Sequence, residues 1–180
     1  MRKILHFGTA RDLTETSKPL LINNESVTIA LFGYNDAETL YNGARSNRAG
    51  AARFNKWSNG EAIKDAKRKG YIVIVNGHAG KEGTTRSNSF QREHYRYYID
   101  SGADLIISHH PHVSQEIESY KGKKIFYSLG NFVFETGDRE NYKNGLAVEV
   151  IIDIEKGAIS EMNKIDVRIE RSVPSFKSSV

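Results

Sequence analysis

Two apolar runs end in histidine: Tyr71-Ile72-Val73-Ile74-Val75-Asn76-Gly77-His78 and Asp104-Leu105-Ile106-Ile107-Ser108-His109-His110-Pro111-His112. Each is a short, continuous, β-branched stretch without polar alternation, the pattern of a strand buried on both faces in a parallel sheet. Parallel neighbours need a crossover, and the chain between them supplies a helix. Asn88 suits its N-cap, the helix is expected over Ser89 to Ser101, and Gly102 closes it. The fold class is therefore α/β, with both histidine groups delivered from the C-terminal ends of buried strands.

Working outward, a helix over Glu61 to Lys69, capped by Asn59 and exiting at Gly70, is predicted to precede the first run. Val27-Thr28-Ile29-Ala30-Leu31-Phe32-Gly33-Tyr34 reads as a further buried strand after the turn Asn23 to Ser26. Residues 35 to 59 have no sustained apolar period and are expected to form a short helix and a long irregular loop. Beyond His112 the chain turns β-rich. Glu116 to Tyr120 and Lys123 to Ser128 flank a Lys121-Gly122 hairpin turn, and Leu146 to Ile154 and Ser160 to Glu170 flank Glu155-Lys156-Gly157. A single domain is expected over residues 1–172, with 173–180 as a flexible tail.

The 180 residues suffice for one hydrophobic core. Lys and Arg exceed Asp and Glu by a net charge of +4, but the excess is scattered. Its densest run, Lys64, Lys67, Arg68 and Lys69, reads as a solvated helix face, so no nucleic-acid partner is expected. The absence of cysteine excludes disulfides and thiolate-bound zinc. The apolar stretch after Met1-Arg2-Lys3 is too short for a signal core or a membrane span, so neither an export signal nor an anchor is expected in the sequence as written.

The chemistry lies in the histidines. His110 and His112, with His78 from the neighbouring strand, place three imidazoles where one or two divalent metals can share them. Imidazole is a strong neutral ligand for Mn, Fe or Zn, and Pro111 stiffens the turn between the paired rings. The competing reading is of polar loop residues, with His109 and His110 hydrogen-bonded inside a turn. Glu82, His109 and Asn131 are catalytic or substrate-binding candidates in the adjoining loops, against an exposed loop charge for Glu82 and a left-handed turn residue beside Gly130 for Asn131. Gln91 is assigned to capping or packing the helix start. Tyr95, Tyr97 and Tyr98 are assigned to core or rim packing rather than to a stacking platform.

In combination, His78-Ala79-Gly80-Lys81-Glu82, Gln91, Ser101 to His112 and Ile125-Phe126-Tyr127-Ser128-Leu129-Gly130-Asn131-Phe132-Val133-Phe134 resemble the CapA family of capsule and poly-γ-glutamate synthesis proteins. The resemblance runs over roughly residues 5 to 155. It departs at Ala79, where tryptophan is common, and at Ser108, where glycine is usual. That family lies in the calcineurin-like metallophosphoesterase superfamily, whose four-layer α/β/β/α sandwich carries a two-metal centre at its strand ends.

The resemblance implies that His78 is the lone metal-binding histidine of one motif and that His110 and His112 are the paired ligands of the last. It also implies that residues 4 to 22 resemble the segment after the family's early Gly-Asp, Asn-Leu-Glu and Asn-His motifs, none of which precedes His78. Gly8-Thr9 offers no bridging carboxylate. The chain is thus expected to be the C-terminal half of such a sandwich with a β-rich C-terminal part. Its metal site would be half present, with one divalent ion rather than two, and its phosphoesterase activity weak or absent. A phosphoester or anionic polymer is the implied substrate, a capsule synthase complex the implied partner, and the bacterial cell surface or extracytoplasmic space the implied location. A non-catalytic module binding an anionic capsule polymer or a synthase partner is the alternative.

Overall fold

The two histidine-ended runs form strands β5 (Ile72–His78) and β6 (Leu105–His109), which pair in parallel at the centre of a six-stranded sheet. The computed structural model describes residues 4–36, 42–135, 137 and 139–176. Within these, β3 (Thr28–Asn35) lies parallel to β5, and β8 (Lys123–Phe126) lies parallel to β6. Two antiparallel edge strands, β2 (Leu20–Asn23) and β7 (Ile117–Tyr120), complete the order β2-β3-β5-β6-β8-β7. The Lys121-Gly122 turn joins β7 to β8 as expected, with φ of +49° and +77°.

Both faces of this sheet are covered, which is why its strands read as unbroken apolar runs. Along β5 successive side chains alternate sides. Val73 and Val75 pack with Ile63, Ala66, Tyr95, Tyr98 and Ile99 of two helices, α1 (Lys56–Arg68) and α2 (Ser89–Asp100). Ile72 and Ile74 pack instead with Leu146, Val148, Val150 and Ile152 of β9 (Asn144–Asp153) and Ile159 and Met162 of β10 (Ala158–Glu170). The fully buried aliphatic side chains among them, Ile63, Ile72, Val73 and Val75, each stabilise by about 1.5–3 kcal/mol. The result is a helix layer, the six-stranded sheet, and a three-stranded antiparallel sheet β11-β10-β9. The second helical layer of the implied four-layer sandwich is not among the described residues. A small pair, β1 (Thr9–Ala10) with β4 (Gly50–Ala51), lies before α1.

Three local expectations change. Helix α1 begins at Lys56, not Glu61, because the Asn55 side chain accepts from the Ser58 N–H and caps it. Asn59 is therefore inside the helix, where its amide donates to the Arg53 carbonyl and to the Tyr98 hydroxyl. The expected tail is partly a strand, β11 (Val173–Phe176), paired antiparallel with β10 over Val167 to Glu170. Of the stretch 35 to 59, where a short helix and a long loop are expected, residues 37–41 lie outside the described residues. By contrast α2 carries the expected cap: Asn88 accepts from the Gln91 N–H while the Gln91 side chain accepts from the Asn88 N–H.

At the far end of the sheet from the histidines, Asp104 ties three elements together. Its N–H donates to the Val73 carbonyl at 2.8 Å, and its carboxylate accepts from the Val73 N–H at 3.0 Å. Lys67 and Lys123 reach the same carboxylate at 2.7 and 2.8 Å. Burial alone would raise the Asp104 pKa, but the bonds from Lys123, Lys67 and Val73 outweigh it and hold the group below its ordinary value. The stabilisation from this lowering is present above about pH 4 and is lost as pH falls through the lower folded-state value. Asp104→Asn is expected to cost about 1–3 kcal/mol in urea unfolding at neutral pH. The gap to the parent should narrow as the titration is repeated toward pH 2; a gap independent of pH would count against the ion cluster as its source.

Candidate metal centre

The parallel ladders set the geometry of the site. Asn35 pairs with His78, and His78 pairs with His109, so three strand ends stand on one rung. Asp36, one residue past β3, donates its N–H to the His78 carbonyl at 3.0 Å. Beneath this rung the buried Tyr95 hydroxyl lies 2.5 Å from the Ser108 hydroxyl. A Cβ on Gly77 would stand 2.4 Å from that Tyr95 oxygen, so only glycine fits there. Ser108 thus uses its hydroxyl, a group that the glycine expected at this position would not supply.

After His109 the chain turns through His110 (φ +100°) and His112 (φ +61°), two left-handed non-glycine residues flanking Pro111. Such conformations are strained and persist only where surrounding bonds over-determine them. Here the Gly83 N–H donates to the Pro111 carbonyl at 2.8 Å, and the Ala79 N–H donates to the His109 carbonyl at 3.2 Å. His112 is held further by its ring. Phe134 lies at 4.6 Å and Tyr142 at 6.0 Å between centroids, the latter nearly coplanar.

Asn131 fixes the tautomer of His112. Its Nδ2 donates to the Tyr142 carbonyl at 3.1 Å, which turns its Oδ1 toward His112 Nδ1 at 2.7 Å. An amide oxygen only accepts, so Nδ1 carries the proton and Nε2 keeps its lone pair. Gly130 takes the left-handed turn conformation and Asn131 does not. The turn-residue reading of Asn131 is thereby replaced by an orienting one.

His78, His109, His110 and His112 line one cavity of about 520 Å³, together with Asn131, Leu129 and the exposed run Phe132-Val133-Phe134. The ring centroids of His78 and His110 are 5.0 Å apart, and those of His110 and His112 are 6.4 Å apart. His78 is pushed down to about pKa 4, first by desolvation and then by the neighbouring imidazoles of His110, His109 and His112. Desolvation likewise lowers His109. His78 and His109 are therefore held as neutral imidazoles with available lone pairs at neutral pH. Glu82 does not line it. That residue is exposed and lines an adjoining compartment with His112, Phe134 and Tyr142. Larger cavities of about 560 and 740 Å³ lie elsewhere, beside His6 and Arg11 and beside Leu13 and Arg45.

Among the described residues no group of three or more histidine, cysteine, aspartate or glutamate side chains has metal-holding geometry. The donor chemistry fits a divalent ion more narrowly than the sequence suggests. Two imidazoles sharing one ion at metal–nitrogen distances near 2.0–2.1 Å have centroids about 5 Å apart. His78 and His110 meet that spacing, and His112 stands further off.

Residues 1–136 match the family described as bacterial capsule synthesis protein PGA_cap. This chain belongs to that family. Over 131 residues it is 38% identical to the PGA biosynthesis protein CapA of Bacillus subtilis, covering 72% of this chain and 34% of that protein. Over 136 residues it is 34% identical to the capsule biosynthesis protein CapA of Bacillus anthracis, covering 73% and 33%. The chain thus spans about a third of the length of these curated relatives. Among solved structures, the Thermus thermophilus sulfate thiohydrolase SoxB superposes with a TM-score of 0.51 at 16% identity, covering 81% of this chain and 24% of that one. That likeness shows the fold, the α/β metallophosphoesterase arrangement expected of a PGA_cap chain.

The sequence reading names the four histidines and Asn131, which line one cavity, but does not single out Tyr142, Asp36 or the Tyr95–Ser108 hydrogen bond around it. Asp36 had a usable signal, since the run Thr28 to Tyr34 also passes from buried apolar to polar residues beside β5. Tyr142 had none, because it reaches His112 from a separate short 3₁₀ turn, Glu140–Lys143. Because the folded-state pKa of His78 lies below the ordinary histidine value, stability should be lost as pH falls from about 6.5 toward 4, where the unfolded chain binds the proton first. In chelator-treated protein, the His78 ring resonances should titrate with a midpoint near 4; a midpoint at 6.5 would contradict the desolvated cavity.

Proposed function

We propose that the strand-end histidines form the imidazole part of a divalent-metal site acting on a phosphoester or similarly charged electrophile in capsule or poly-γ-glutamate production. One observation carries this reading: His78, His110 and His112 enter the same cavity from adjacent parallel strand ends, with the lone pair of His112 freed by Asn131. Mn, Fe or Zn suits these donors. Such an ion lowers the pKa of a bound water and neutralises charge on the reacting group.

The chain's own residues have separate tasks. His78 and His110 supply two rings whose centroid spacing suits a shared ion, and Asn131 keeps His112 in one tautomer. Leu129, Phe132 and Phe134 supply the apolar part of the cavity wall. His109 stands in the same wall, where its desolvation disfavours the imidazolium and leaves it a proton acceptor. No carboxylate is among the described residues lining this cavity, so a metal bridge by aspartate is not available from them. Weak or no phosphoesterase turnover is therefore expected of the isolated chain.

A second reading is favoured by the cavity's rim. Phe132, Val133 and Phe134 are 45%, 70% and 43% exposed, consecutive apolar side chains at the mouth of the site. Such a patch suits a module that binds a capsule polymer or a synthase partner without chemistry. Both readings place the protein at the bacterial cell surface or outside the cytoplasmic membrane, in keeping with the capsule role named for its relatives. No described helix is long and apolar enough to cross a membrane.

Metal titration separates the readings. Chelator-stripped protein is expected to take up Mn or Zn, His110→Ala to lose that uptake, and Asn131→Ala to weaken it by about 10–100-fold. Equal uptake by the His110→Ala variant would sink the metal site, and salt-sensitive polymer binding indifferent to chelator would then favour the binding module. With a chromogenic phosphodiester and Mn, the isolated chain should show little or no turnover. Robust turnover abolished by His110→Ala would show that the residues present suffice.

A further inference from the structure

Beside the histidine cavity lies a second compartment of about 350 Å³, lined by Glu82, Glu135, Arg139, Phe134, Tyr142 and His112. The two spaces share a wall, since His112 and Phe134 line both. The compartment carries both signs of charge. Arg139 places its guanidinium 4.8 Å from the centroid of the Tyr142 ring, whose other contact is the His112 ring at 15° from coplanar. A guanidinium attracted to an aromatic ring is held near it by the cation–π interaction, and its N–H groups can still donate as a fork. That fork matches a carboxylate. Among the described residues no carboxylate forms an ion pair with Arg139.

Among the described lining residues two carboxylates stand against one guanidinium, a net negative charge. An interior stretch of a polyanion gains from Arg139 but is repelled by Glu82 and Glu135. A simple cation gains from the glutamates but leaves the guanidinium unanswered. A group with a carboxylate and an ammonium on neighbouring carbons answers both, and a cavity of about 350 Å³ suits a small moiety.

We propose that this compartment is a subsite for a free α-amino-acid group, with Arg139 binding its carboxylate and Glu82 and Glu135 its ammonium. The inference rests on the proposed reading of the adjoining histidine cavity as the reacting site. It narrows the substrate to one presenting an amino-acid end, rather than an internal anionic segment, within reach of His112. Glu82 then acts in recognition and not in proton transfer at the histidines.

The test uses the whole chain in EDTA, so that metal binding plays no part. Amide resonances of Gly137, Arg139 and Tyr142 are followed while L-glutamate, N-acetyl-L-glutamate and glutarate are titrated in turn. L-Glutamate is expected to shift these resonances saturably and to bind several-fold more tightly than the two ligands lacking the ammonium. Arg139→Gln should weaken L-glutamate by about tenfold or more, the loss of a charge-assisted fork. Glu82→Gln should weaken L-glutamate while strengthening N-acetyl-L-glutamate. Both side chains are exposed, so the variants should keep the parent's circular dichroism and melting temperature. N-acetyl-L-glutamate binding as tightly as L-glutamate, indifference to Arg139→Gln, or no shift with L-glutamate at tens of millimolar would each overturn the subsite. Failure here with His110-dependent metal uptake intact would remove the subsite alone; success here with metal uptake absent would remove the reacting centre and leave a binding pocket.

Discussion

The pairing of β5 with β6 is what the rest of the site depends on. Strands buried on both faces have no polar side to set their register, because a one-residue slip exchanges one apolar face for another. The register is pinned instead at its two ends. At one end Asp104 exchanges bonds with both backbone groups of Val73 and draws in Lys67 and Lys123. At the other, Tyr95 fits against Gly77 and bonds the Ser108 hydroxyl. Between these two fixtures His78 has no choice but to stand opposite His109, and the turn through His110 and His112 begins from a fixed point.

Fixing the strands does not by itself aim the rings, and the turn pays for its aim in strain. The two left-handed residues on either side of Pro111 cost of order 1–3 kcal/mol each. The compensation comes from segments distant in sequence: Gly83 bonds the Pro111 carbonyl, Asn131 bonds His112, and Phe134 and Tyr142 pack its ring. The loop that carries Gly83 and Glu82 is secured in turn by amides. Gln115 donates to the carbonyls of Thr84 and Arg86, and the buried Gln91 donates to Gln115 and to the Tyr127 carbonyl. Each fixed bond lowers the ordering still needed when a ligand arrives.

This division explains what could be read from sequence. Strand positions follow from continuous β-branched runs, and the helix at Ser89 follows from the Asn88–Gln91 capping box, because both are local patterns with local causes. Helix α1 was misplaced for an equally local reason: Asn55 and Asn59 are both competent caps, and what decides between them is the bond from Asn59 to Tyr98, 39 positions away. The histidines were legible as types at strand ends. Their spacing was not, since His112 stands farther from His110 than His78 does only because Asn131 and Tyr142 draw its ring aside. Strand β11 was illegible because Val173-Pro174-Ser175-Phe176 has little apolar alternation and gains its order from pairing with β10.

The same pull on His112 gives the site its asymmetry. A ring engaged through Nδ1 with Asn131 and in contact with Phe134 and Tyr142 cannot move toward His78 without breaking a part-buried hydrogen bond and two aromatic contacts. His78 and His110 carry no comparable restraint among the described hydrogen bonds, so they are the rings free to adjust to an incoming ligand. The site accordingly divides into an adaptable pair, His78 and His110, and a fixed imidazole that also borders a charged compartment. Whatever occupies the centre must suit the fixed ring first, because the other two can follow.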